Sequence, residues 1–339
     1  MNIYTYINLI LYFFLIKENI VAQDNLLTNM HNITGFVNAA NIGLYEGTYR
    51  AGIMYRSQWQ KGNIKGYQVS GLYIDAPLSS FNNADWLGIG MNVRYDAIGE
   101  VALNTTNVGI NMAYHKVLNS NRTAVLSAGF RTEFIERRID RDKIVFKNDL
   151  TGNNPGLDQR LLNLQSQSYM DFSFGINFRN KTNNSTIFNI GASVEHLFTP
   201  QSNLSSNSDH VAKLSRQYTF YGMMDMPIRD KFLFTPMAYI FTSATGVEWM
   251  FQALGGVKIN PENNTILRGG TGYQVSSQKA SLLIGLEHQS FKVGVSYDFT
   301  LSKLSNSIDS QGTIELTVGY IGRIFKNKPP PSVILCPQY

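Results

Sequence analysis

The sequence predicts an all-β chain, a transmembrane outer-membrane β-barrel of about fourteen antiparallel strands with both termini periplasmic. Three observations carry that expectation. Charged residues make up only 16% of the 339 residues, against roughly 25% in soluble domains. Apolar and polar residues alternate with period two through segments longer than the ~5–6 residues of an ordinary strand. The connections between these segments alternate between short and long.

The alternation is plainest in Met170 to Arg179, where Met170, Phe172, Phe174, Ile176 and Phe178 oppose Asp171, Ser173, Gly175, Asn177 and Arg179. Leu87 to Asp96, Phe291 to Leu301 and Thr313 to Tyr320 behave alike. A helix would scatter these residues around its circumference. Segments of this kind fall near 45–58, 67–77, 86–98, 104–117, 122–138, 169–180, 185–197, 214–226, 231–243, 247–259, 264–274, 279–288, 290–301 and 312–326. Most are 10–13 residues long, enough for the ~9–11 that a tilted strand needs to cross a bilayer. Phe232 to Phe241 is apolar on both faces and carries Pro236, which predicts a bulge or bend.

Connections after even-numbered segments are mostly short, as at Asn119-Ser120-Asn121 and at Gln289. Several after odd-numbered segments are long: 59–66, 139–168, 198–213 and 302–311. Outer-membrane barrels have short periplasmic turns and longer outer loops, so both barrel ends fall on the short-turn side. Leu78 to Asp85 is long for a turn, and the connections near Ser243 and Ser276 are short for outer loops. Closure follows because lipid offers no partner for the backbone groups of an open sheet edge. The polar faces then line the lumen, with Arg50, Arg56, Arg94, Asp96, Arg131, Glu133, Asp171, Arg179, Lys292 and Asp298 as candidate lumen-lining residues. Tyr45, Tyr55, Trp59, Trp86, Tyr95 and Tyr114 are expected in the interfacial girdles.

The flanks complete the organisation. Ile7 to Ile16 is an apolar run of signal-peptide length, although no Lys or Arg precedes it, and cleavage after Ala22 is expected. Residues 1–22 read as a signal peptide, 23–44 as an N-terminal periplasmic segment, 45–326 as the barrel and 327–339 as a Pro-rich periplasmic tail. The tail carries Pro329-Pro330-Pro331 and the lone Cys336, which excludes an internal disulfide.

Chemistry is sparse. The net charge is +5, and the 29 Lys and Arg residues are scattered, whereas nucleic acid binding needs a clustered basic face. The five histidines show no HExxH or His-x-His spacing, so no metal site is expected. No Ser/His/Asp constellation stands out, so no catalytic residue is assigned. Gly269-Gly270-Thr271-Gly272 lies inside a strand pattern and reads as close backbone packing, not a phosphate cradle. No cofactor is expected.

Several stretches, in order, carry a family resemblance: Asn38-Ala39-Ala40-Asn41-Ile42-Gly43, Gly47-Thr48-Tyr49-Arg50-Ala51-Gly52, Tyr55-Arg56-Ser57-Gln58-Trp59, Asp75-Ala76-Pro77-Leu78, Gly88-Ile89-Gly90-Met91, Asp96-Ala97-Ile98-Gly99, Ala113 to Leu118, and Cys336-Pro337-Gln338-Tyr339. With them the chain resembles the PorP/SprF outer-membrane proteins of the type IX secretion system of Bacteroidetes. It departs from that pattern at Ala39, where Pro is usual, and at Tyr339, where Phe is common. The resemblance implies a barrel that assists export or surface attachment of particular substrates with C-terminal sorting domains, gliding adhesins among them. It also implies association with the periplasmic ring and translocon proteins, and no catalytic residues. The loops at 139–168 and 198–213, the longest irregular stretches, are the expected substrate contacts. A passive porin or small-solute transporter is the alternative, since fold does not fix function.

Overall fold

The computed structural model describes residues 26–59, 66–78, 84–99, 103–139, 166–202, 213–244, 246–260, 265–302 and 312–324. The signal peptide, the tail with Cys336, and most of the 139–168 and 198–213 loops lie outside the described residues.

Fourteen strands form one closed antiparallel barrel. They are β1 (Tyr49–Gln58), β2 (Tyr67–Pro77), β3 (Trp86–Ile98), β4 (Leu103–Val117), β5 (Ala124–Ile139), β6 (Gln167–Lys181), β7 (Ile187–Glu195), β8 (Gln217–Ile228), β9 (Phe232–Ser243), β10 (Gly246–Asn260), β11 (Thr265–Gln274), β12 (Lys279–His288), β13 (Phe291–Thr300) and β14 (Thr313–Gly322). Each pairs with its sequence neighbours, and β1 closes on β14 with Tyr49 opposite Gly322 and Gln58 opposite Thr313. Every strand edge is therefore paired, as a lipid-exposed sheet requires.

The strands are long because period-two alternation persists through them. Outward residues such as Ile53, Leu72, Met91, Ile110, Ile190 and Ile284 are large, apolar and exposed. Their inward neighbours are mostly buried, which fixes the register, since a slip of one residue would turn the apolar set inward. Pro236 opens a gap in the β8–β9 ladder between Met223↔Met237 and Met226↔Phe234 without shifting its register. A register shift occurs instead in β10, between Lys258 and Asn260. Among the described residues no helix is long and apolar enough to cross a membrane.

The start of β1 and the end of β14 share one rim, together with the turns 118–123, 182–186, 229–231 and 289–290. The strand ends that flank 59–66, 140–166, 196–216 and 301–312 lie at the opposite, long-loop rim.

The segment ahead of β1 departs from its expected place outside the barrel. Residues 26–44 run through the lumen as a plug. Its first residues sit beside Arg56, Asp298 and Glu315, toward the long-loop ends of β1, β13 and β14. Its last sit beside Trp86 and His115, toward the short-turn ends of β3 and β4. Its own hydrogen bonds are local, from short turns, the four-residue helix α1 (Thr34–Val37) and a 3₁₀ turn at Ala39–Asn41. Leu27, Met30, Ile33 and Phe36 pack against inward Met54, Val69, Tyr73, Tyr221, Met237, Tyr239, Phe241, Met250, Leu254 and Leu283. Those apolar inward residues explain why β9 is apolar on both faces: one meets lipid and the other meets the plug.

Candidate functional site: a filled lumen

The site is the seat of this plug. At its upper end Glu315 accepts the Thr28 and Asn29 backbone N–H groups at 2.8 and 2.7 Å. Asp298 accepts the Thr28 hydroxyl at 2.9 Å, and Gln252 donates to the Thr28 carbonyl at 2.8 Å. Arg56 donates to the Leu26 carbonyl and pairs with Glu315 at 3.2 Å and Asp298 at 3.8 Å. Glu315 is wholly buried, so its charge depends on these donors.

Midway, Arg131 donates to the Gly35 and Phe36 carbonyls and to Asn111, and faces Glu195 at 3.9 Å. The Asn38 side chain caps the 3₁₀ turn through the Ala40 N–H and donates to the Ile176 and Ala192 carbonyls of β6 and β7. Tyr221 joins Asn38, Asn41 and Asn177.

At the lower end Arg50 and Asp75, opposite each other on β1 and β2, form a two-pronged ion pair. Asp75 also accepts the Gly43 N–H at 2.6 Å, and Arg50 donates to the Asn41 carbonyl. The Arg50 guanidinium lies over the Tyr45 ring, 4.6 Å from its centre. The Trp86 indole N–H donates to the Gly43 carbonyl at 2.9 Å and its ring stacks on His115. His115 Nε2 lies 2.7 Å from the Ile42 carbonyl and Nδ1 2.7 Å from Ser127 Oγ. A carbonyl only accepts, so Nε2 carries the hydrogen, and in the neutral ring Nδ1 then accepts from Ser127.

The wall makes room with glycines. A Cβ at Gly129 would fall 2.3 Å from the Ala39 carbonyl carbon, one at Gly88 2.1 Å from the Ile42 carbonyl oxygen, and one at Gly175 1.9 Å from Asn38 Oδ1. Gly43 itself takes φ +74°, a left-handed conformation that suits glycine where the chain turns to leave the lumen.

All ten candidate lumen residues lie on inward faces, in different roles. Arg50, Arg56, Arg131 and Asp298 touch the plug as described. Arg179 reaches toward the Leu44 carbonyl at 3.5 Å. Glu133 accepts from Asn92, Asp171 pairs with His196 at 2.8 Å, Arg94 lies 3.5 Å from Asp96, and Lys292 lies 3.6 Å from Glu287, within the wall. Sequence reasoning missed Glu315, Asp75, Gln252 and the plug itself. Inward glycines at 88, 129 and 175 were the available signal, because a lumen filled by wall side chains alone does not need them. Two residues expected in the girdles belong to the seat instead: Tyr45 and Trp86 are each only 8% exposed. Tyr55, Tyr95 and Tyr114 do lie on the outer face, at 40, 43 and 42% exposure. Trp59, beyond the end of β1, has its ring centre 5.8 Å from the Lys279 ammonium.

A closed barrel with an apolar outer band and a lumen occupied by its own chain defines an outer-membrane β-barrel protein. The family model for the type IX secretion system membrane protein PorP/SprF matches residues 20–320. The chain belongs to that family, and its place is the outer membrane. No curated protein matches the chain. Similar solved structures include the Pseudomonas putida toluene transporter TodX, at 10% identity and TM-score 0.49, covering 89% of this chain and 95% of that one. The KdgM porin is similar at 10% identity and TM-score 0.38, covering 80% and 98%. The translocator domain of the autotransporter NalP from Neisseria meningitidis is similar at 9% identity and TM-score 0.44, covering 86% and 95%.

Proposed function

We propose that this barrel assists the export or surface attachment of particular type IX substrates, gliding adhesins among them, by recognition and assembly and without bond chemistry. Its partners on this reading are outer-membrane lipid, the periplasmic ring and translocon proteins, and substrates with C-terminal sorting domains. Family membership carries the reading, and the lumen supports it: a barrel whose interior holds its own residues 26–44 suits an accessory better than a conduit. The same feature disfavours the passive porin or small-solute transporter. The short-turn rim, with the 327–339 tail, faces the periplasm on this reading, and the 139–168 and 198–213 loops meet the substrate.

Affinity capture of the full chain from detergent-extracted envelopes, followed by mass spectrometry, tests the association. Recovery of secretion-ring and translocon subunits supports it. Recovery of the barrel alone, under conditions that keep that machinery assembled, removes it. Deleting either long loop should impair export while the barrel still folds, and undiminished export after both deletions would discard their assigned role.

A further inference from the structure

The polar groups that hold the plug read mostly its main chain. Glu315 takes the N–H groups of Thr28 and Asn29, and Asp75 takes that of Gly43. Arg131 takes the carbonyls of Gly35 and Phe36, and His115 that of Ile42. Main-chain groups are common to every polypeptide, so this part of the seat is indifferent to sequence, as in other strand-binding grooves. Selectivity comes from the side-chain hydrogen bonds of Thr28, Asn29, Asn38 and Asn41 and from the other arc of the wall, where the apolar cluster takes one plug side chain in three, from Leu27 to Phe36. The wall glycines add a second filter, because Gly129 leaves room only for a main chain held as closely as that of Ala39 and Ala40.

The seat is also built to survive without its occupant. A permanent filling would be held at least as well by apolar packing, since buried ion pairs give little net stability. Here three charged groups that grip the plug backbone have an opposite charge on the wall: Glu315 has Arg56, Asp75 has Arg50, and Arg131 has Glu195. Withdrawal of the plug strands none of these charges, and entering water can hydrate the pairs. Barrel closure does not involve the plug either, because every ladder pair is between barrel strands.

We propose that the lumen is a polypeptide-binding cradle, that residues 26–44 occupy it as a ligand in cis, and that a segment of a partner protein takes their place when they leave. The fitting segment is irregular, with an apolar residue at every third position and small residues just after that row. The inference deepens the secretion reading, which supplies the incoming chain, but the exchange itself does not depend on it.

The test uses the full chain, purified in detergent, in a Cys336→Ser background. The double variant Asn29→Cys/Ser296→Cys replaces a side-chain pair whose atoms lie 2.8 Å apart, and a short bifunctional thiol crosslinker then ties the plug to β13. The probe is a fluorescent peptide with the sequence of residues 26–44, followed by anisotropy. A tethered plug competes at an effective concentration of order millimolar, so the peptide is titrated through that range. The untied protein should take up the peptide, and the tied protein should bind it at least roughly tenfold more weakly. N-methylation of the peptide at Thr28 and Asn29 should cost more, roughly a hundredfold or greater, as the loss of two charge-assisted hydrogen bonds. Equal binding to tied and untied protein, or no uptake by the untied protein, overturns the proposal. Either result leaves capture of secretion subunits unaffected, so the two readings fail separately.

Discussion

Arg50 and Asp75 face each other across β1 and β2, with Nε to Oδ1 at 2.9 Å and Nη2 to Oδ2 at 2.8 Å. The Asp75 side chain is fully buried, that of Arg50 is 11% exposed, and the carboxylate also accepts the Gly43 N–H. This pair therefore fixes the point where the plug turns out of the lumen into β1.

Removing one member of such a pair leaves the other buried and uncompensated, at about 3–5 kcal/mol. Asp75→Ala should lower the unfolding free energy of the detergent-purified barrel by that order, read as a shifted urea midpoint. A midpoint within error of the unchanged protein would show that the pair contributes nothing.

Gly129→Val should displace the plug and leave the barrel standing. The new Cβ would lie 2.3 Å from the Ala39 carbonyl carbon and the Ala40 nitrogen, a backbone that cannot step aside locally. The variant should retain heat-modifiable migration on gels, while limited proteolysis cuts within residues 26–48. Protection equal to that of the unchanged protein would mean that the plug does not lie against β5.

Asp85 provides a pH test at the short-turn rim. Burial works against its charge, but the Tyr114 hydroxyl at 2.7 Å, the Val117 N–H at 2.9 Å and Lys116 at 3.7 Å outweigh burial and hold its carboxyl below the usual range. A depressed folded-state value means stability that is present above the unfolded pKa of about 3.9 and is lost as pH falls through the folded one. Asp85→Asn should therefore be less stable than the unchanged protein at pH 7, by no more than about 1 kcal/mol for a rim contact. The difference should vanish at strongly acid pH. A gap that persists unchanged into acid would point to lost packing instead of lost charge.

Ion conduction separates a filled lumen from an open one. In planar bilayers the full chain should be silent or nearly so, and a variant lacking residues 26–44 should pass current through a lumen lined by Arg50, Arg56, Arg131, Asp298 and Glu315. Steady conductance from the full chain would contradict a seated plug.

Much of the barrel is legible in the sequence, because period-two alternation is a local property that each strand carries by itself. The 67–77, 86–98 and 279–288 segments coincide with β2, β3 and β12, and the first segment overshoots only at 45–48, where the chain is still leaving the lumen. The inward direction of Arg56 or Asp298 follows from the same alternation. Their partners do not: Glu315 and Thr28 are 287 residues apart, and no local pattern joins them.

Local alternation is enough to dictate a closed, lipid-facing barrel with a largely polar inner wall and long connections on one rim, since lipid leaves a strand edge no other partner. What fills the lumen follows only from the closed barrel. The plug has neither strand nor helix periodicity, and its hydrogen bonds outside its own short turns go to residues distant in sequence, mostly through wall side chains. Its position is set by the summed fit of an apolar row, main-chain groups and wall glycines, which exists only once fourteen strands have closed around it.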